Sequence, residues 1–220
     1  MFAKELINID FPSLSHTDNG NLAMQWMEEY KVTALPVVEG IKYLGILSED
    51  EVLNMSDLSL SLKKQNLSLN PIAVLESEHI YEVLNKISLS KLNIIPIVNK
   101  DGNYLGTISL HALINSISKL TSVKDIGGIL QLEVNVNDYS LSEIATIVES
   151  NDGKILSSYI HTHDDSSKMD VTIKVNKSDL SGIIQTFERY NYTIAAKFHK
   201  SQLEDDLDIR YKEFMHFMNI

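Results

Sequence analysis

The sequence predicts an α+β protein: α/β sandwiches arranged as a pseudo-twofold pair, then a βαββαβ domain and a C-terminal amphipathic helix. Three observations carry this. The first half is written twice, because VTALPVVEGIKYLGILSEDEVL (residues 32–53) recurs as LNIIPIVNKDGNYLGTISLHALI (residues 92–114). Beyond residue 128 the pattern changes to alternating strands separated by helical stretches. Residues 203–218 then place Leu203, Leu207, Tyr211, Phe214 and Met218 at spacings of three and four, the period of one helix face.

The repeat is the strongest signal. Pro36 falls on Pro96 at an offset of sixty, and Tyr43-Leu44-Gly45 falls on Tyr104-Leu105-Gly106 after one inserted residue. Such a period is too long for a helical hairpin and points to a complete unit, duplicated. Each copy opens on a short apolar stretch (Pro12 to Leu14; Pro71 to Leu75). Asp18 and Glu78 then stand near the start of a helix, where a carboxylate complements the dipole. Leu22, Ala23, Trp26, Met27 and Tyr30 recur at helical spacing, as do Val83, Leu84 and Ile87. A strand ending in Pro-Val-Val or Pro-Ile-Val, a turn at Glu39-Gly40 or Asp101-Gly102, and a strand reading YLGILS or YLGTIS follow. Ser48 and Ser109 are placed to cap a closing helix. Each copy is thus β-α-β-β-α, with residues 55–69 as a polar connector.

The second half reads as βαββαβ, the ferredoxin-like order. A strand over Ile129 to Val136 places Leu130, Leu132, Val134 and Val136 on one face. Leu141, Ile144, Ala145 and Val148 form a helical stripe, and Asp152-Gly153 ends that helix. Strands over 155–163 and 169–175 flank a DDSS loop, Ser178 is placed to cap a second helix, and residues 192–198 form the last strand.

Composition narrows the function classes. A formal net charge of −11 argues against duplex nucleic acid, whose affinity comes from phosphate neutralisation, and against anionic membranes. There is no cysteine, so disulfides, thiolate catalysis and Cys-based metal sites are excluded. The N-terminus does not read as a secretory signal and no apolar stretch approaches a membrane span; the expected location is cytoplasmic. No P-loop, G-x-G-x-x-G or G-x-S-x-G is present, which leaves an enzyme without a visible catalytic group. His161 and His163 share a strand face with carboxylates following, a weak metal pattern that reads more simply as the polar end of a hairpin; no metal or required cofactor is expected.

The residues VTALPVV with GILSEDE, and LNIIPIV with GTISLHA, resemble a tandem pair of CBS domains, a Bateman module. On that resemblance repeat 1 spans about 1–58 and repeat 2 about 66–121, within a pair covering 1–121. Residues 122–128 form a linker. The βαββαβ order and NDYSLSEIATIV make 129–199 similar to an ACT domain, and 200–220 hold the appended helix. The combination resembles proteins of the acetoin-utilisation regulatory family.

The resemblance implies a non-enzymatic regulator and homodimer that binds AMP, ADP, ATP or S-adenosylmethionine and signals to a protein partner. The family pattern places a Ser/Thr and an acid near the ribose. It implies one site from Ser48 and Glu51 with Ile72, Asn93 and Ile94, and a weaker one from Ser109 with Thr33, Ala34 and the nearby His111. The copies depart from the pattern: Glu51 replaces the family's aspartate, and Ala112 replaces it with no acid at all. In the ACT-like half, Asn137, Asp138 and Ser140 form the candidate amino-acid loop, with Ser140 where the family has glycine. The alternative is a ligand-free homodimeric interaction module whose clefts have degenerated.

Overall fold

A computed structural model of the chain describes residues 1–8, 11–163 and 167–198. It is of the α+β class and divides into two units, Met1–Ile117 and Ser118–Ile220.

The first unit holds both copies. In the first, β1 (Leu14–Ser15) precedes α1 (Gly20–Tyr30), β2 (Ala34–Glu39), β3 (Lys42–Ser48) and α2 (Glu49–Leu53). In the second, β4 (Val74–Leu75) precedes α3 (Ile80–Ser90), β5 (Ile94–Val98), β6 (Tyr104–Ser109) and α4 (Leu110–Leu120). Each sheet has three strands, in the orders β1-β2-β3 and β4-β5-β6. The first pairing in each is parallel and the second antiparallel. Each also breaks register at the same place, between Val37 and Val38 and between Ile97 and Val98.

Asp18 and Glu78 do not cap the first helices. Their carboxylates accept the Ser15 and Leu75 N–H groups, closing the turn before the helix. Asn19 and His79 are the N-caps, one residue nearer the helix, where a side chain reaches its first free amides.

The copies are laced together crosswise. Residues that lead into one copy finish the other. Ala3 and Leu6 are buried in the core of the second copy, with Val74, Ile80, Ile95 and Leu113. Asn8 N–H donates to the Thr107 carbonyl. Leu67 and Leu69 pack on the core of the first copy, and Asn70 bridges Ile46 on β3. The connector is therefore not merely polar: Leu62 is buried and Leu58 packs beside it.

The crossing explains the shared Tyr-Leu-Gly. Gly45 and Gly106 have φ of 148° and 150°, a backbone that side chains rarely adopt. A Cβ on Gly45 would come within 2.7 Å of Leu69, and one on Gly106 would strike Ile7. The two tyrosine rings stack 6.5 Å apart where the hairpin turns meet, and Tyr104 N–H donates to the Ile41 carbonyl. Tyr43 donates to the Ile72 carbonyl at 2.7 Å. Burial, reinforced by Tyr104, pushes the Tyr43 hydroxyl pKa well above the usual phenol range.

The second unit has β7 (Gly128–Asn135), α5 (Leu141–Glu149), β8 (Ile155–Thr162), β9 (Lys168–Val175), α6 (Ser181–Arg189) and β10 (Thr193–Phe198). The sheet order is β10-β7-β9-β8, antiparallel throughout, the ferredoxin-like topology. Leu130, Leu132 and Val134 alternate into a core shared with Val171, Ile173, Ile144, Ile183 and Phe187.

Three details differ from expectation. Val136 leaves the strand, opens a short 3-10 turn and is exposed. The buried stripe of α5 is Ile144, Ile147 and Val148, while Leu141 in its first turn is exposed. Ser178 caps nothing: α6 starts at Ser181, Asp179 accepts the Ser181 N–H, and Leu180 plugs the core at 1% exposure. Burying that leucine sets the entry of the helix more strongly than a hydroxyl cap would. The helix expected over 200–220 lies outside the described residues.

Candidate functional site

A cleft of about 540 Å³ opens between the two copies. Its lining includes Thr33, Ile46, Ser48, Glu51, Asn70 and Lys91. Four segments build it, of which the lead into β2 brings Thr33. The end of β3 and the start of α2 bring Ser48 to Glu51. The end of the connector and the residue after it bring Ser68 and Asn70. The end of α3 brings Ser90, Lys91 and Leu92. Lys91 sits in the left-handed region at φ 57°, where α3 stops and the chain turns into β5.

The predicted residues sort differently from the expected grouping. Strand register sets Ala34 opposite Ser48 within the first copy and Ile94 opposite Ser109 within the second. Each serine therefore belongs beside the pre-proline run of its own copy, not that of the other. The reason is the β2–β3 and β5–β6 hairpins, which hold strand start and strand end together. Thr33, expected beside Ser109, lines the Ser48 cleft. Ile94 and Ala34 are fully buried and offer no side chain to a ligand. Ile72 gives its carbonyl to Tyr43 and does not line this cleft. The contribution across copies comes instead from Asn70 and from residues 90–92.

Asn93 acts as a clasp. Its side-chain oxygen accepts the Thr33 N–H at 3.2 Å and its amide donates to the Lys31 carbonyl at 3.1 Å. It ties the strand starts of the two copies together.

Ser48 and Glu51 close on each other in a capping box. Ser48 Oγ accepts the Glu51 N–H at 3.3 Å, and the Glu51 carboxylate accepts the Ser48 N–H at 3.1 Å. Ser48 O–H also donates to that carboxylate. The acid is thus folded back on its own helix start. In the second copy Ser109 Oγ accepts the Ala112 N–H at 3.1 Å, and no carboxylate returns. His111 is exposed on the first turn of α4. The backbones match closely, since Glu49 N–H donates to the Thr33 carbonyl and Leu110 N–H to the Asn93 carbonyl.

Sequence reading missed Asn70, Ser90, Lys91 and the acids Glu49 and Asp50. A signal existed for one of them. Continued upstream, the offset of sixty sets Lys31 on Lys91, and both residues are left-handed helix ends at φ 54° and 57°.

The second unit has a cleft of its own, of about 360 Å³, lined by Asp138, Glu133, Glu143, Lys168, Tyr192 and neighbours. Of the three candidate loop residues only Asp138 lines it. The Asp138 carboxylate accepts from the Asn135 amide at 2.9 Å. Ser140 is the N-cap of α5 and accepts the Glu143 N–H, while Asn137 is exposed in the 3-10 turn. Tyr192 donates to Glu143 at 2.7 Å. Burial and that carboxylate raise its pKa well above the usual phenol range.

His161 and His163 pack edge to face at 5.3 Å, and His163 pairs with Asp170 at 3.1 Å. Among the described residues no group of three or more His, Cys, Asp or Glu side chains is placed to hold a metal. No described helix is long and apolar enough to cross a membrane.

Comparison with known proteins adds a family. Residues 3–57 and 67–119 match the model of the CBS domain. The chain is 23% identical over 189 residues to an inosine-5'-monophosphate dehydrogenase of Korarchaeum cryptofilum, covering 84% of this chain and 39% of that protein. It therefore spans well under half the length of that relative. Among solved structures, a CBS domain pair/ACT domain protein from Thermotoga maritima is similar at 21% identity and a TM-score of 0.49, over 53% of this chain and 96% of the other. An acetoin utilization protein from Vibrio cholerae is similar at 18% identity and a TM-score of 0.47, over 56% and 95%.

Proposed function

Because residues 3–57 and 67–119 are a tandem pair of CBS domains, we propose that the protein is a non-enzymatic regulator that binds an adenosine-containing ligand in the Ser48 cleft. The observation that carries the reading is the cleft itself: it lies between the copies, has the volume of a small-ligand site, and joins Ser48 to Thr33, Asn70 and Lys91. A ligand there touches both copies, so its binding favours one arrangement of the pair over another. Only such a difference in affinity shifts a conformational equilibrium.

In this reading the chain acts in the cytoplasm as a homodimer, and the second unit serves as an ACT-like module that passes the change to a protein partner. Calorimetric titration of the full chain with adenosine, AMP, ADP, ATP and S-adenosylmethionine tests it. Binding of one of them, lost in Ser90→Trp, which puts a large ring into the cleft lining, is the expected result. No heat from any of them at millimolar concentration would overturn it.

One observation favours a second reading. Glu51 is already satisfied by its own helix start, and Ala112 has no acid to offer. Both clefts then serve structure alone, and the protein is a ligand-free interaction module. The same titration separates the two.

A further inference from the structure

The charge around the cleft narrows the ligand class, and this step rests on the adenosyl-binding reading above. Three carboxylates, Glu49, Asp50 and Glu51, line the cleft, and among the described residues Lys91 is the single cationic one in the lining. Glu49 and Asp50 are exposed. The remaining polar groups, such as Ser68 and Asn70, are neutral.

A phosphate chain needs the opposite arrangement. It is held by arginine forks or by several cations. The chain has two arginines, Arg189 and Arg210, and residues 1–117 contain none. A phosphate entering this cleft would meet one lysine and three like charges, a repulsion that strengthens at low ionic strength.

The duplicated copy supplies an internal contrast. Where the first copy has Glu49, Asp50 and Glu51, the second has Leu110, His111 and Ala112. The same backbone therefore carries an acidic rim once and a neutral one once.

We infer that the Ser48 cleft takes an adenosyl ligand without phosphate, neutral or cationic at its 5′ end. The carboxylates select it by repelling nucleotides, and Lys91 is too isolated to offset them.

The test titrates the full chain with adenosine, S-adenosylmethionine, AMP and ATP, the last two with Mg²⁺ and with EDTA. In the native chain at low ionic strength the phosphate-free ligands are expected to bind about tenfold more tightly than AMP, as like-charge repulsion predicts. A double variant, Glu49→Leu with Asp50→His, copies the second repeat at exposed positions and leaves the Glu51 capping box intact. It is expected to raise the affinity for AMP relative to adenosine by about tenfold. Ser90→Trp should abolish the adenosine signal, which assigns it to this cleft, and a thermal melt checks that each variant is folded. AMP or ATP binding in the native cleft as tightly as adenosine, in either buffer, overturns the charge selection but leaves the adenosyl reading standing. Silence from all four ligands overturns both.

Discussion

The Glu51 carboxylate is used by the fold before any ligand arrives. It accepts the Ser48 N–H while Ser48 Oγ accepts the Glu51 N–H, so two otherwise free helix amides are satisfied at once. Glu51→Ala should therefore lower stability by about 0.5–2 kcal/mol, the usual range for a lost cap, and urea unfolding would show it without ligand. If the ligand affinity of this variant matches that of the native chain, Glu51 is structural and ribose recognition falls to Ser48, Thr33 and Asn70.

Tyr192 gives a pH-dependent counterpart in the second unit. Its folded pKa is raised by burial and by Glu143, so the protonated phenol stabilises the fold. That contribution is complete below the unfolded phenol value of about 10 and is lost as pH rises through the higher folded value. Tyr192→Phe should cost about 1 kcal/mol at pH 7 for the lost hydrogen bond. It should also make stability fall less steeply above about pH 10, measured by chemical unfolding at pH 7 and in the alkaline range.

At the scale of elements, the pieces that matter are the crossed leading segments. Leu6 is 6% exposed within the core of the second copy, far along the chain from the strands it covers. Leu6→Ala should destabilise by about 2–5 kcal/mol, as for other buried leucines, and thermal unfolding would measure it. Gly45→Ala should be more damaging than its size suggests. The positive φ alone costs on the order of 1 kcal/mol or more, and the new Cβ meets Leu69 and Asn70. A Gly45 variant as stable as the native chain would mean that the crossing segments are not held tightly.

The same scale shows what could be read in advance. The paired hairpins were legible, because two copies repeat the same proline, Tyr-Leu-Gly and serine at matching positions. The alternation over Leu130, Leu132 and Val134 likewise marked a half-buried strand. Leu180, Leu62 and the leading segments were not legible. Each is short, lacks a period, and is buried by elements distant in sequence.

For the whole molecule, the net charge of −11 argues against a partner whose affinity comes from phosphate neutralisation. A homodimer follows from our functional reading. Sedimentation at micromolar concentration should then give about twice the 24.8 kDa chain mass, and a monomer at that concentration would remove the dimer from the proposal.

By itself the sequence determined the α+β class, the duplication, the strand–helix order of both halves and the chemical difference between Glu51 and Ala112. These are properties of local period and residue type, written along the chain. Only the tertiary structure decided that Ser48 stands opposite Ala34 rather than Ile94, that Asn70 and Lys91 complete its cleft, and that Glu51 folds back on its own helix. Those facts depend on hairpin register and on which distant segments cross, and a pseudo-twofold repeat offers more than one way to pair its halves. The acidic lining of the first cleft, with no arginine in the unit to balance it, becomes a statement about ligand only after that pairing is known.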